Sequence, residues 1–128
     1  MIERVAKALS GMLIFMGVLH FVAPKPFDSL IPEEIPGDPR TLTYASGVAE
    51  LAIGAALIPQ QTRRTAAAAA AALFIAVFPA NVNMVRLWVN KSPLLKTLAW
   101  ARLPLQIPMI VGAIMVWRKT PRAAELDG

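Results

Sequence analysis

The sequence contains no cysteine and a single histidine. Without cysteine there can be no internal disulfide, no thiol redox chemistry and no thiolate metal site. The one histidine, His20, cannot hold a metal without other ligands, so no metal is expected, and any electron transfer would need a borrowed cofactor. Charge is also scarce, at 16% of residues, and its placement says more than its total. No charged side chain occurs between Lys7 and Lys25, between Arg64 and Arg86, or between Arg102 and Arg118, and between Arg40 and Arg63 there is only Glu50. Helices of a soluble bundle interrupt their apolar stripe with charge every turn or two, and these intervals do not. They argue against a soluble bundle and for a bilayer.

What is present agrees. The 128 residues are one domain's worth, 56% hydrophobic, with a mean hydropathy of +0.54. A helix needs roughly 20 apolar residues to cross a hydrocarbon core of about 30 Å. The charge-poor intervals supply four such stretches, Val5 to Val22, Thr43 to Ile58, Thr65 to Trp88 and Leu98 to Trp117. None alternates with a period of two, so all four read as helices. The expected fold is therefore all-α, a polytopic membrane protein with four transmembrane helices in an antiparallel bundle, residues 1–128 forming a single domain. The first stretch has the basic flank of a signal peptide in Arg4 and Lys7, but Pro24 follows Ala23 at the place a cut would fall, and the apolar run exceeds a usual signal core. It reads as a retained anchor.

Lys and Arg outnumber Asp and Glu by 13 to 8, and the pI is near 10.3, yet the basic residues stand in ones and twos beside apolar runs. That pattern orients membrane proteins and gives no reason to expect nucleic acid. With both termini inside, Arg4, Lys7, Arg63, Arg64, Arg118, Lys119 and Arg122 are cytoplasmic, against Lys25, Arg40, Lys91 and Lys96 outside. Trp88 and Trp100 then mark the outer interface and Trp117 the inner one.

The one long connection, residues 24–42, carries Pro24, Pro26, Pro32, Pro36 and Pro39 and cannot be one continuous helix. Phe27, Leu30 and Ile31 are spaced to form one apolar helical edge, and Pro32 with Glu33 and Glu34 reads as the start of another short turn. This Pro-rich interfacial loop is either a linker or a lid over an internal site.

Glu50 is the residue that most needs an answer. An ionised carboxylate alone in hydrocarbon costs about 2.5–3.5 kcal/mol even on a lenient scale, so it must be paired, protonated or wetted. At 1.5 Å per residue it lies about 10 Å below the outer end of its helix. Arg102 and Gln106, one turn apart on the fourth helix, come to a similar depth, as do His20 near the end of the first helix and Asn81 in the third. Pro79, Pro104 and Pro108 each free a backbone carbonyl in the same zone. Ser46, Glu50 and Gly54 share a face, with Gly47 beside them, so another helix can come close to the acid, and Gly17 plays the same part three residues before His20. Two readings stay open: an interhelical lock built on a Glu50–Arg102 pair, or a ligand or proton site formed by His20, Glu50, Asn81, Arg102 and Gln106. Asn83 is expected to face headgroups, and Tyr44 to anchor at the interface.

Three segments, "GVLHFVAPKPFDSLIP", "YASGVAELAIGAAL" and "FPANVNM", in this order and at these separations, resemble the DoxX family of small four-helix bacterial membrane proteins. The resemblance runs from about Met12 to Trp117. It implies a multi-pass protein of the bacterial inner (cytoplasmic) membrane. Relatives are associated with membrane oxidoreductase assemblies, including a thiosulfate to quinone enzyme and a complex with superoxide dismutase and a sulfurtransferase. The resemblance brings no catalytic residue to this sequence.

The leading expectation is a non-catalytic subunit or scaffold for a membrane-associated oxidoreductase, in which the buried pair is direct and dry. The alternative is a binding protein or enzyme for a lipophilic molecule with a polar head, such as a quinone, entering from the outer leaflet. His20 and Arg102 would then hold its oxygens, Glu50 could move a proton, and the loop would cover the pocket. The partners expected are the lipid bilayer, an oxidoreductase protein, a lipophilic ligand or a second copy of the chain. A transporter would need a homo-oligomer, since the inner half offers no polar path.

Overall fold

Prolines preceded by a capping side chain set two of the helix starts. Asp38 precedes Pro39 and accepts a hydrogen bond from the Thr41 amide at 3.1 Å; Ser92 precedes Pro93 and accepts one from Leu95 at 3.4 Å. Proline at the first position of a helix gives up only a donor that has no intrahelical partner there. The helices therefore begin before the apolar runs do. A computed structural model describes residues 1–126. It comprises α1 (Ile2–Val22), α2 (Pro24–Leu30), α3 (Pro39–Ala56), α4 (Gln60–Ala76), α5 (Phe78–Leu87), α6 (Pro93–Lys119) and α7 (Ala123–Leu126), with no strand among the described residues.

Three helical runs are long and apolar enough to cross a membrane: α1, the combined α4–α5 run Gln60–Leu87, and α6. The expected second span, α3, is not among them. Its 18 residues include Arg40, Thr41, Thr43, Tyr44, Ser46 and Glu50, which pull its mean hydropathy down. The expected third span is divided at Val77. Pro79 lacks the N–H that would bond to Ile75, so the ladder is broken between α4 and α5. Val77 still donates to Leu73 at 2.9 Å and Asn81 to Val77 at 3.2 Å, so the chain continues in nearly the same direction. The prolines of α6, Pro104 and Pro108, lie inside an uninterrupted helix.

The long helices close into a ring in which α1 packs along α3, α4 along α6, α1 touches α6 and α3 touches α4. One end of this ring, that of Ala6 and Val116, is an apolar core of Ala6, Leu9, Leu13, Leu57, Ala66, Ala67, Ala70, Phe74, Ala113 and Val116. The alanines of α4 allow its backbone to lie close to its neighbours. A smaller apolar group, Leu30, Met84 and Ala99, closes the opposite end. Large apolar side chains such as Phe15, Val48, Ile75, Leu105, Ile107 and Val111 point outward. In water that surface would be a liability; against acyl chains it is the expected exterior.

Three consecutive residues at the start of α4 secure the end that carries the larger apolar core. Thr62 donates to the Ala56 carbonyl at 2.6 Å, and Arg63 donates through Nε to Leu57 at 2.8 Å and through Nη2 to Ile58 at 2.5 Å. Arg64 donates to the carbonyls of Trp117 and Thr120 at 3.0 and 3.1 Å and lies over the Trp117 ring. The last carbonyls of α3 and α6, which have no intrahelical partner, are thus satisfied by cations placed where the helix dipoles favour them.

The α1–α3 contact is the tightest in the bundle. Ser10 donates to the Gly54 carbonyl at 2.6 Å. A Cβ on Gly47 would stand 2.9 Å from the His20 Cβ and 2.8 Å from Phe21, and one on Gly17 would stand 2.8 Å from Leu51. Ser10 and Gly17 on α1 face Gly54 and Gly47 on α3, seven residues apart on each helix. The His20 Cβ is fixed to backbone and cannot swing away, so Gly47→Val is expected to destabilise the protein by about 1–3 kcal/mol. Thermal unfolding in detergent micelles measures this; an unchanged midpoint would show that the two backbones are not in close contact.

Candidate functional site

The close approach of α1 and α3 places His20 beside Glu50. Both are buried, and the His20 Nδ1 to Glu50 Oε2 distance is 3.4 Å. The same Nδ1 lies 2.6 Å from the Met16 carbonyl. A carbonyl can only accept, so Nδ1 carries the proton and gives it to Met16, one turn earlier on α1. The imidazole ring stacks on Phe27 of α2, with centroids 3.9 Å apart. Glu50 Oε2 is left with no hydrogen-bond donor.

Arg102 of α6 does not close an ion pair with Glu50, so the expected direct pair is not formed. Its Nη1 contacts the Met84 sulfur at 3.6 Å, a weak acceptor for a guanidinium. Instead Glu50, Arg102, His20 and Asn81 all line one cavity of about 220 Å³, partly open to the outside. Ser46 and Thr43 continue its α3 wall, and Met16, Val77 and Ala80 give it apolar sides. Beneath it lies a second cavity of about 70 Å³, which shares Met16, Glu50, Val77, Asn81 and Arg102 and adds Gln106 of α6. Gln106 is buried, and its Oε1 also has no donor. At roughly 30 Å³ per water, the inner space has room for about two. All five residues singled out in the sequence thus come together around the two cavities, with His20 beside Glu50 and no direct Glu50–Arg102 lock.

The roof of the outer cavity is the long loop. Phe27 and Leu30 of α2, then Ile31, Pro32 and Ile35, line it from above. Residues 24–42 therefore hold a seven-residue helix followed by an irregular segment that lies over the chamber. Two attachments hold it there. Asp28 accepts from Thr43 Oγ1 at 2.6 Å and from Arg40 Nε at 2.8 Å, which ties α2 to the first turns of α3. Asn83 donates through Nδ2 to the Leu30 carbonyl at 2.9 Å. The expectation that Asn83 faces headgroups is corrected by this bond: the side chain is buried and fastens the loop to α5. Tyr44 stacks on Phe21, with centroids 5.2 Å apart, and lies under the Arg40 guanidinium, an arrangement suited to an interfacial ring.

Sequence reasoning missed Asp28, Thr43 and the loop-fastening part of Asn83. Thr43 stands seven residues before Glu50 on the same helix face, which is a usable signal. Nothing local to Asp28 or Asn83 reveals their partners, which are distant in sequence.

The fold and chamber define a class: an all-helical protein, three of whose helical runs can cross a membrane, enclosing polar side chains near one end of the bundle. The chain belongs to the family described as a domain of unknown function, DUF8561, which matches residues 9–117. That match takes in α2 to α5 whole and all of the chamber's walls and roof. Searches of curated proteins and of solved structures return no match.

The Asp28 clasp makes a pH-dependent prediction. Hydrogen bonds from Thr43 and then Arg40 hold the Asp28 carboxyl below its ordinary range. A depressed carboxyl contributes fully above its unfolded pKa, about 3.9, and loses that contribution as pH falls through its folded value. Hydrogen-exchange protection of α2, corrected for intrinsic rates, should hold from pH 7 to about pH 4. Asp28→Asn should lower it throughout. Loss of protection between pH 7 and pH 5 would mean that some other group holds the loop.

Proposed function

We propose that this chain is a four-span membrane protein whose chamber binds a lipophilic small molecule with a polar head, of which a quinone is one candidate. The observation that carries the reading is the partly open cavity of about 220 Å³ into which His20, Glu50, Asn81 and Arg102 converge with no direct Glu50–Arg102 contact. A scaffold that used these residues only to hold helices together would join Glu50 to Arg102 directly, since a buried charge without its partner costs several kcal/mol. The cavity is smaller than the roughly 300–1,000 Å³ that encloses a whole drug-sized ligand. It suits a head group whose tail lies elsewhere, in keeping with a molecule delivered from lipid.

Counting α3 as the fourth span rests on which of its residues face outward. Tyr44, Ala45, Val48, Ala52 and Ala55 are exposed, whereas Thr43 and Glu50 are buried. Mean hydropathy averages both faces, but lipid meets only one. With four spans and the basic bias described above, both termini are cytoplasmic and the α2 loop lies on the far side of a bacterial inner membrane. The DoxX resemblance supports this placement. It also supports a role beside a membrane oxidoreductase, to which the chain would supply or present its ligand.

Two measurements test the proposal. Native mass spectrometry of gently solubilised protein should show one small lipophilic molecule per chain, with its occupancy lowered by Arg102→Leu. Preparations that carry only bulk phospholipid, in wild type and variant alike, would remove the ligand reading. Because the chain has no cysteine, Glu34→Cys and Gln61→Cys give clean single-site reporters. A membrane-impermeant maleimide applied to spheroplasts should label the first and spare the second; the reverse pattern would invert the topology.

A further inference from the structure

Resting on the binding reading above, we infer that the ligand's head is a hydroxyl, a group that both donates and accepts, on an aromatic ring. The inference comes from hydrogen-bonding capacity that the chamber leaves unused. Among the described residues, three buried side-chain oxygens have no donor, and two of them, Glu50 Oε2 and Gln106 Oε1, belong to residues that line the cavities. Both side chains are more than nine-tenths buried as residues. The nearby imidazole cannot supply the missing donor, because its Nδ1 proton is directed to Met16. Arg102 brings the opposite surplus, a fork of N–H donors whose one hydrogen-bonded neighbour is a thioether sulfur.

A carbonyl or ether oxygen entering such a site could accept from Arg102 but would leave the acceptors unmet. A hydroxyl could do both, donating toward Glu50 while its oxygen accepts from the guanidinium. A site with unpaired buried acceptors discriminates strongly against a ligand that lacks the donor, because the acceptors then stay desolvated with nothing in exchange. The rest of the lining favours a ring. His20 and Phe27, stacked with centroids 3.9 Å apart, put two aromatic rings in the lining, and Met16, Leu30 and Val77 give apolar sides with an adaptable thioether.

The test compares para-hexylphenol with its methyl ether, two molecules of nearly the same size that differ in the donor. Binding to the full chain in nanodiscs is measured after subtracting partition into empty discs. The phenol is expected to bind roughly tenfold tighter or more, the ratio that one lost hydrogen bond of about 1.4 kcal/mol gives. Glu50→Gln should narrow that preference, since a neutral amide oxygen accepts more weakly than a carboxylate. Equal affinities in wild type overturn the hydroxyl assignment and leave the binding reading standing. Tighter binding of the ether overturns it too, and points to an acceptor-only head. If neither compound binds, the pocket reading fails and the inference with it. The wild-type comparison decides the matter even if the variant does not fold.

Discussion

The approach of α1 to α3 is the contact on which the rest of the molecule depends. Lipid offers no hydrophobic force to press helices together, so they must associate through packing and hydrogen bonds, and small residues let both act at short range. Here Gly17, Gly47 and Gly54 remove the side chains that would hold the backbones apart, and Ser10 bonds across the contact. The consequence extends beyond stability. With the two helices in this register, the last turn of α1 lies against the middle of α3, and His20 comes within 3.4 Å of Glu50. Shift the register by one turn, about 5.4 Å, and the imidazole no longer faces the acid.

The bundle is divided along its length. One end is apolar and closed, with the cations of Arg63 and Arg64 used to satisfy helix-terminal carbonyls. The other end holds His20, Glu50 and Arg102, two cavities and a structured roof. Polar side chains are costly at membrane depth, and a scaffold alone does not need so many of them in one place. The division matches a site served from one side, with a floor that seals it from the other.

The roof connects loop chemistry to that site. The bonds that Asp28 accepts from Arg40 and Thr43, and the bond from Asn83 to Leu30, place Phe27 on the His20 ring. The loop thus completes the wall of the chamber and lies over the groups that a ligand would meet. Because it is held by a few polar contacts, and carries little of the apolar core, it is the part of the structure with least to lose on opening.

Much of this was legible before any coordinates. Charge-free intervals, the absence of alternation and the lone Glu50 determined that the chain is helical, suited to a bilayer, and polar at one end, because the cost of exposing charge to hydrocarbon acts on each segment separately. Even the five residues around the cavities could be picked out, since helix rise converts sequence position into depth. What only the tertiary structure decided is how those residues face one another. Depth does not fix rotation about a helix axis, so Arg102 could be placed level with Glu50 yet turn out to rest on Met84, while His20 took the neighbouring position. Likewise the loop's prolines excluded a long helix but could not reveal Asp28 reaching Thr43 or Asn83 reaching Leu30. Those contacts join segments distant in sequence, and their geometry exists only once the helices have packed.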